Sequence, residues 1–356
     1  MSNAITMVVG LDLGDRRSAY CIVDASEGEV LSRGSVKMER PFVAAWLERL
    51  SLRGRARVVM ETGTHSPWVW RMVRDAGHEA VVADARRVKA ISDSVRKTDR
   101  RDAEMLALLG RSELRLLSPI SPRGEQGQLD RSHLRARDVL VRNRTAMVSS
   151  ARSLAKSHGY RIPTCSTESF PKKARQELPA ELLDVLGPLL ECIELTTAAI
   201  SAYDRRIAQV AEHRYPVTRL LRQVAGIGAL TALAFVLTIE DATRFAKSRD
   251  VGSYLGLVPR LDQSGQRNPQ LGIHKAGDAV TRRLLVTAAH YILGSRCKQD
   301  SDLRRWGLAL IERGEDPKRA RKRAVVAVAR KLAVLMHRMW VTGECFVPLG
   351  HKSQAA

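Results

Sequence analysis

The opening stretch of the chain lays down hydrophobic periods in a fixed order, and that order leaves few folds open. From Met7 the text is a short apolar run, Ser18 to Val23 and Val30 to Val36 read as two more strands, and Asp24 to Gly28 is turn material between those two. Next come Pro41 to Leu50 as an amphipathic helix, Arg57 to Glu61 as a buried strand, Pro67 to Ala76 as a helix and His78 to Ala83 as a strand. A helix from about Asp99 to Leu109 closes the unit. Strands that follow one another directly pair antiparallel. Strands separated by a helix return parallel, through right-handed crossovers. The text therefore predicts a mixed sheet with helices packed on it.

This βββαβαβα order is that of the RNase H-like superfamily, and it sorts the acidic residues. It predicts Asp12 in the middle of the first strand, Glu61 at the tip of the fourth, and the two strands as neighbours. Asp99 and Asp102, three apart on a helix, share one face. Two unit charges about 4 Å apart repel by roughly 4 kcal/mol at an effective dielectric of 20, so four carboxylates at one point call for a cation. Oxygen-only donors favour Mg²⁺, with Mn²⁺ as the other choice. Each acid also has a plainer reading: Asp12 as a turn acid before Gly14, Glu61 as a cap for the helix near Pro67, and Asp99 with Asp102 as favourable charge at a helix N-terminus.

These acids sit in a chain of 356 residues with 59 Lys and Arg against 38 Asp and Glu, a net charge of +21. Such an excess draws in a polyanion and predicts phosphate contacts that weaken steeply with salt. No apolar run in the text approaches the roughly 20 residues that span a bilayer, so a membrane partner is not expected. The five cysteines are scattered and form no CxxC pair, which indicates neither a disulfide framework nor a zinc site. No secretory leader is visible, and the expected location is the cytoplasm.

Beyond the first unit, Leu134 to Ser157 and Pro179 to Glu212 read as long helices, and Gly159 to Pro171 as a bend between them. The expected division is 1–128 for the acidic domain, 129–215 for a helical hairpin or coiled-coil segment, and 216–356 for a mainly helical C-terminal domain. Gly226-Ile227-Gly228 resembles the turn of a helix-hairpin-helix element, where glycines let backbone N–H groups approach a phosphate; a plain turn between packed helices fits the same text. Ser264 before Gly265, in a polar loop, reads on its own as a turn residue. The run Lys318, Arg319, Arg321, Lys322, Arg323 suits a phosphate-facing helix. Aromatics are only 4% of the chain, which argues against stacking along a single strand.

Taken together, Gly10-Leu11-Asp12-Leu13-Gly14, Glu61-Thr62-Gly63, Lys97-Thr98-Asp99-Arg100-Arg101-Asp102-Ala103, Gly226-Ile227-Gly228, Gly256-Leu257-Val258-Pro259, Ser264-Gly265 and Gly272 through Arg282 resemble the DEDD-type insertion-sequence transposases. These are bridge-RNA-guided serine recombinases, and the likeness spans nearly the whole chain. It implies a RuvC-like domain whose Asp12, Glu61, Asp99 and Asp102 bind Mg²⁺, and a nucleophilic Ser264 that forms a covalent phosphoserine link to DNA. It further implies donor and target DNA, a structured noncoding guide RNA, and homodimers that assemble into tetramers. Lys275 and Arg282 are the cations expected near the phosphate. The chain departs from the family's usual text at Ala83-Asp84-Ala85 and at His65-Ser66-Pro67-Trp68. The competing enzyme reading is a hydrolytic RuvC-like endonuclease with water as nucleophile, and the non-enzymatic one is an architectural nucleic-acid binder.

Overall fold

The computed structural model describes residues 4–85, 98–112, 114–261, 269 and 271–350, and the chain divides into two compact units, Met1–Glu125 and Gln126–Ala356. Lys97, Ser264 and Gly265 lie outside the described residues.

The first unit is built on a five-stranded sheet of order β3-β2-β1-β4-β5. Its strands are β1 (Met7–Asp12), β2 (Arg17–Asp24), β3 (Val30–Lys37), β4 (Ala56–Glu61) and β5 (Glu79–Ala83). The first three pair antiparallel, and β4 and β5 join parallel to β1 and to each other, the mixed sheet expected from the strand order. Alternation along β1 sorts its side chains. Met7, Val9 and Leu11 face α1 (Arg40–Ser51) and α2 (Ser66–Asp75), in a core with Trp46, Leu47 and Val69. Val8 faces the other way, into a core with Val59, Ala103, Leu106 and Ala107, where α3 (Asp99–Arg111) covers the sheet. Burying these side chains supplies the main driving force for the unit.

Small residues bring α3 unusually close. A Cβ on Gly10 would sit 1.9 Å from the Ala103 carbonyl oxygen and 2.4 Å from the Ala107 nitrogen. Only hydrogen fits there. At the other end of α3, a Cβ on Gly110 would meet Val59 at 2.3 Å and Val8 at 3.1 Å. The helix therefore runs from Gly10 back toward Val8, with its first turn at the C-terminal end of β1.

The second unit is helical. Its two long helices are α4 (Glu125–Ser157) and α6 (Ala180–Arg214), with α5 (Phe170–Glu177) between them. They run antiparallel, since Arg214 Nη1 donates to Asp130 at 2.6 Å while Arg144 Nη1 donates to Thr197 at 3.2 Å. α4 starts well before the expected Leu134, because Asp130, fully buried, is held by Arg214, the Tyr215 hydroxyl and Gln126. α5 begins inside the expected bend, where Pro171 stands in the first turn, a site that favours proline. α6 is also long and apolar enough to cross a membrane by length and composition, with 22% of its apolar window buried, so the text does hold one such stretch, against expectation. It packs Leu182, Leu186, Leu190 and Ile193 against α4 and α5.

The remaining helices are α7 (Val217–Leu221), α8 (Ala229–Ile239), α9 (Asp250–Tyr254), α10 (Ala279–Ile292), α11 (Asp302–Glu312) and α12 (Pro317–Thr342). Their core gathers Phe235, Leu255, Leu285, Val328 and Leu332. A second cluster joins Leu134 of α4 and Ile207 of α6 to Leu233 and Leu237 of α8. The long helices and the C-terminal helices thus share buried surface.

Candidate functional site

Asp12 is the last residue of β1, not in its middle as the sequence suggested. The strand ends there because the chain turns at Gly14, whose N–H donates to the Ser18 hydroxyl at 3.2 Å. Glu61 is the last residue of β4, as expected. The parallel register that pairs Gly10 with Val59 and Leu11 with Met60 sets Asp12 beside Glu61. By alternation both share the sheet face of Val8 and Val59, the face that α3 covers.

Asp99 and Asp102 occupy the first turn of α3, and the Thr98 hydroxyl caps that turn by accepting from the Arg101 N–H. Asp102 directly precedes Ala103, the residue pressed on Gly10. The backbone thus carries all four acids to one end of the sheet: Asp12, Glu61 and Asp102 half-buried, Asp99 exposed. The plainer readings fare unevenly. Asp99 and Asp102 do sit where a helix field favours carboxylates, whereas α2 opens on His65, with Ser66 bonding Gly63, so Glu61 is not its cap.

The donor set is all carboxylate oxygen, the chemistry a hard divalent ion prefers. Among the described residues, no three His, Cys, Asp or Glu side chains stand close enough to hold an ion. The fold supplies neighbours at one sheet end rather than a closed cage.

In the second unit the described residues that flank Ser264 form a small ribbon. Pro259 bridges Ile273 antiparallel, Arg260 N–H donates to the Gly272 carbonyl at 3.0 Å, and His274 N–H to the Val258 carbonyl at 3.0 Å. Two glycines clasp its base. A Cβ on Gly256 would lie 2.1 Å from the Ala276 oxygen, and one on Gly277 would lie 2.1 Å from the Tyr254 oxygen; both residues are left-handed. Lys275, exposed, is also left-handed at φ 57, a conformation that costs a lysine roughly 1–2 kcal/mol. Arg282 gives Nη1 to the Leu255 and Ala276 carbonyls at 3.0 and 2.8 Å, so part of this expected phosphate contact ties down the ribbon's base.

Asp278, quoted in the family motif but given no role of its own, joins that base to α4. It accepts from the Thr281 N–H at 2.7 Å, capping α10, and pairs with Arg131. Burial alone would raise its pKa, but the Thr281 N–H and the Arg131 charge outweigh burial and hold the carboxyl below the usual range. No sequence signal marks a partner so far along the chain.

The two glycines of the expected phosphate turn differ. Gly226 is left-handed at φ 81, and its Cβ would press on Tyr291 at 3.1 Å and the Ala288 oxygen at 3.2 Å, whereas nothing crowds Gly228, which opens α8. On α12, Lys318, Arg319, Arg321, Lys322 and Arg323 are all exposed while Ala320 is buried. The Asp316 carboxylate caps the helix through the Lys318 and Arg319 N–H groups. Cations in the first turns oppose the helix field, so this cluster is not there for stability.

Two family models match the sequence in order. A DEDD-type IS110 transposase model covers residues 9–158, and a model described as Transposase IS116/IS110/IS902 family covers residues 218–304. The chain is similar to the transposase for insertion sequence element IS1111A of Coxiella burnetii, at 29% identity over 92% of this chain and 88% of that protein. It is also similar to a probable family 20 transposase of Pseudomonas aeruginosa, at 28% identity over 96% and 98% of the two chains. The transposase for IS1328 of Yersinia enterocolitica matches at 27% over 70% and 74%. Among solved structures, Thermus thermophilus RuvC in complex with a Holliday junction substrate covers 32% of this chain and 99% of its own at 15% identity, with a TM-score of 0.26 that carries no weight. With both models matched in order and relatives aligned nearly end to end, the chain belongs to the IS110/IS116 family of insertion-sequence transposases, enzymes of DNA recombination.

Proposed function

We propose that this transposase cuts and rejoins DNA with Ser264 as nucleophile and with Mg²⁺ held by Asp12, Glu61, Asp99 and Asp102. The observation that carries the reading is the parallel register that brings Asp12 and Glu61 together on the face covered by α3. Mg²⁺, or Mn²⁺ in its place, would neutralise phosphate charge among carboxylates that otherwise repel a polyanion.

The remaining work falls to the chain's own groups. The Ser264 hydroxyl attacks a backbone phosphorus, forming a P–Oγ bond as the P–O bond to the departing strand breaks, and its proton ends on the leaving oxygen. One ester replaces another, so rejoining needs no outside energy source. The clasped glycines fix the base of the Pro259–Ile273 ribbon, and Lys275 presents an ammonium there. Gly226, Gly228 and the cations of α12 bind DNA backbone.

A structured noncoding guide RNA reads sequence by base pairing in this scheme, while protein reads backbone and shape. α4 and α6 form the hairpin through which protomers dimerise and then build tetramers. Val185 and Leu195 on α6 are 67% and 71% exposed, and Val139 and Leu154 on α4 are 44% and 45% exposed, apolar surface that a second copy would cover. The setting is the bacterial cytoplasm.

A suicide DNA substrate with Mg²⁺ tests the chemistry. The expected product is a Ser264 peptide covalently attached to a DNA end, lost in both S264A and D12N. If S264A still cuts at the normal rate, water is the nucleophile and the hydrolytic endonuclease reading replaces this one. Sequencing the RNA that copurifies with the protein tests the guide: one discrete species is expected, and a random population overturns it.

A further inference from the structure

A hollow of about 810 Å³ opens between α11, α12 and the C-terminal segment, walled by Leu303, Trp306, Lys331, Leu335, Arg338 and Phe346. Its outer wall is a built feature. The Asp302 N–H donates to the Pro348 carbonyl at 2.8 Å, and the Phe346 N–H donates to Gln223 Oε1 at 2.8 Å. This chain has only five Trp and five Phe, yet one of each lines this single hollow.

We infer that the hollow receives one unpaired nucleobase of a single-stranded nucleic acid. The inference rests on the nucleic-acid reading above and adds a site to it.

Charge selects the ligand class. Lys331 and Arg338 are balanced by Asp302 and Glu344, with Arg338 and Glu344 paired at 3.6 Å and both well exposed. A bare phosphate would want net positive charge, and a hydrocarbon would need no ionic rim. A nucleobase wants an aromatic face and, along its edge, both donors and acceptors.

The indole face is held in reserve. The Lys331 ammonium stands 3.8 Å from the Trp306 ring centroid, an exposed cation–π contact that is weaker than stacking of a base on the same ring. An arriving base displaces Lys331, whose freed charge then meets the phosphate of that nucleotide. Arg323, the last of the basic run, lies on the same helix about 12 Å from Lys331 at 1.5 Å per residue, within reach of neighbouring phosphates. Scarce aromatics exclude stacking along a whole strand. They do not exclude capture of a single base.

The test is photocrosslinking of the full-length protein to single-stranded oligonucleotides carrying 5-iodouracil, one arm RNA and one arm DNA, with unlabelled duplex DNA as the binding control. The expected result is an adduct on Trp306 or Phe346. W306L keeps an apolar side chain and should lose the adduct and weaken single-strand binding roughly tenfold, with duplex binding within about twofold. W306F, which keeps a ring, should retain both.

An adduct in the RNA arm alone assigns the pocket to an RNA base, one in the DNA arm alone to a DNA base, and adducts in both arms to either; each supports the pocket. The inference is overturned if adducts form only elsewhere, if W306L binds single strands like wild type, or if W306L weakens duplex and single strand alike. Failure of the wild type to bind the duplex would sink the wider nucleic-acid reading instead, so the two failures are distinguishable.

Discussion

The two units hold their candidate chemistry in opposite ways. In the first, Asp12 and Glu61 end neighbouring strands and Asp99 and Asp102 open a helix pressed on one of them, so every acid rides on a regular element. In the second, the proposed nucleophile lies outside the described residues, and what the structure fixes is the flanking backbone, through Gly256, Gly277, Arg282 and Asp278. The difference teaches that a set of like charges needs rigid elements to hold it together, whereas a single proposed hydroxyl asks of the flanking chain only a fixed root.

The sharpest way to break the comparison is to remove charge without touching packing. D12N or E61Q should lower strand cleavage by roughly 10²–10³-fold while the thermal midpoint stays put; a matching loss of stability would mean the acids serve the fold instead. Next in size is G10A. Its methyl group meets the α3 backbone, so destabilisation of about 3 kcal/mol or more is expected in denaturant titration, and a smaller cost would show that α3 can ride up.

For the second unit, D278N removes the charge that holds Arg131 and should cost about 1–3 kcal/mol at neutral pH. The sign follows from its depressed pKa. The stabilisation is present above the unfolded carboxyl value of about 3.9 and is lost as pH falls through the lower folded value, so wild type and D278N should converge in acid.

A subtler pH effect marks the first unit. His78 is buried, accepts the Ala56 N–H at Nδ1 at 3.2 Å, and has its pKa lowered chiefly by that burial. Its stabilisation is present above the unfolded value of about 6.5 and is lost as pH drops toward the folded one. Melting curves between pH 7 and 5 should show a decline that H78Q flattens. Smallest of all is G228A, expected within about 0.5 kcal/mol of wild type in stability, because nothing crowds that position. A large drop in its DNA affinity would show backbone N–H groups meeting phosphate there.

Much of the first unit was legible because a sheet writes its pattern locally. Short apolar or alternating runs gave all five strands within a residue or two, and helix signals gave α1, α2 and α3. Asp12 was misjudged by the part of the strand it occupies, since Leu13 continues the apolar run while the Ser18 hydroxyl turns the chain at Gly14. The start of α4 was missed because the network that holds its first turns, Asp130 with Arg214 and Tyr215, spans 84 and 85 residues. That network also pushes the Tyr215 hydroxyl up to about 12, through burial first and the Asp130 carboxylate second. Asp278 with Arg131 was invisible for the same reason. Ser264 carried no local sign of chemistry, and its proposed role came only through family resemblance.

The interlocked glycines at the root of the ribbon have an evolutionary consequence. Because Gly256 and Gly277 each fill a slot with room for nothing larger than hydrogen, the helices beneath are insulated from whatever grows above them. Evolution can therefore vary the ribbon's exposed positions, such as Arg260 and Gly272, while these two sites admit no side chain unless a packed carbonyl moves.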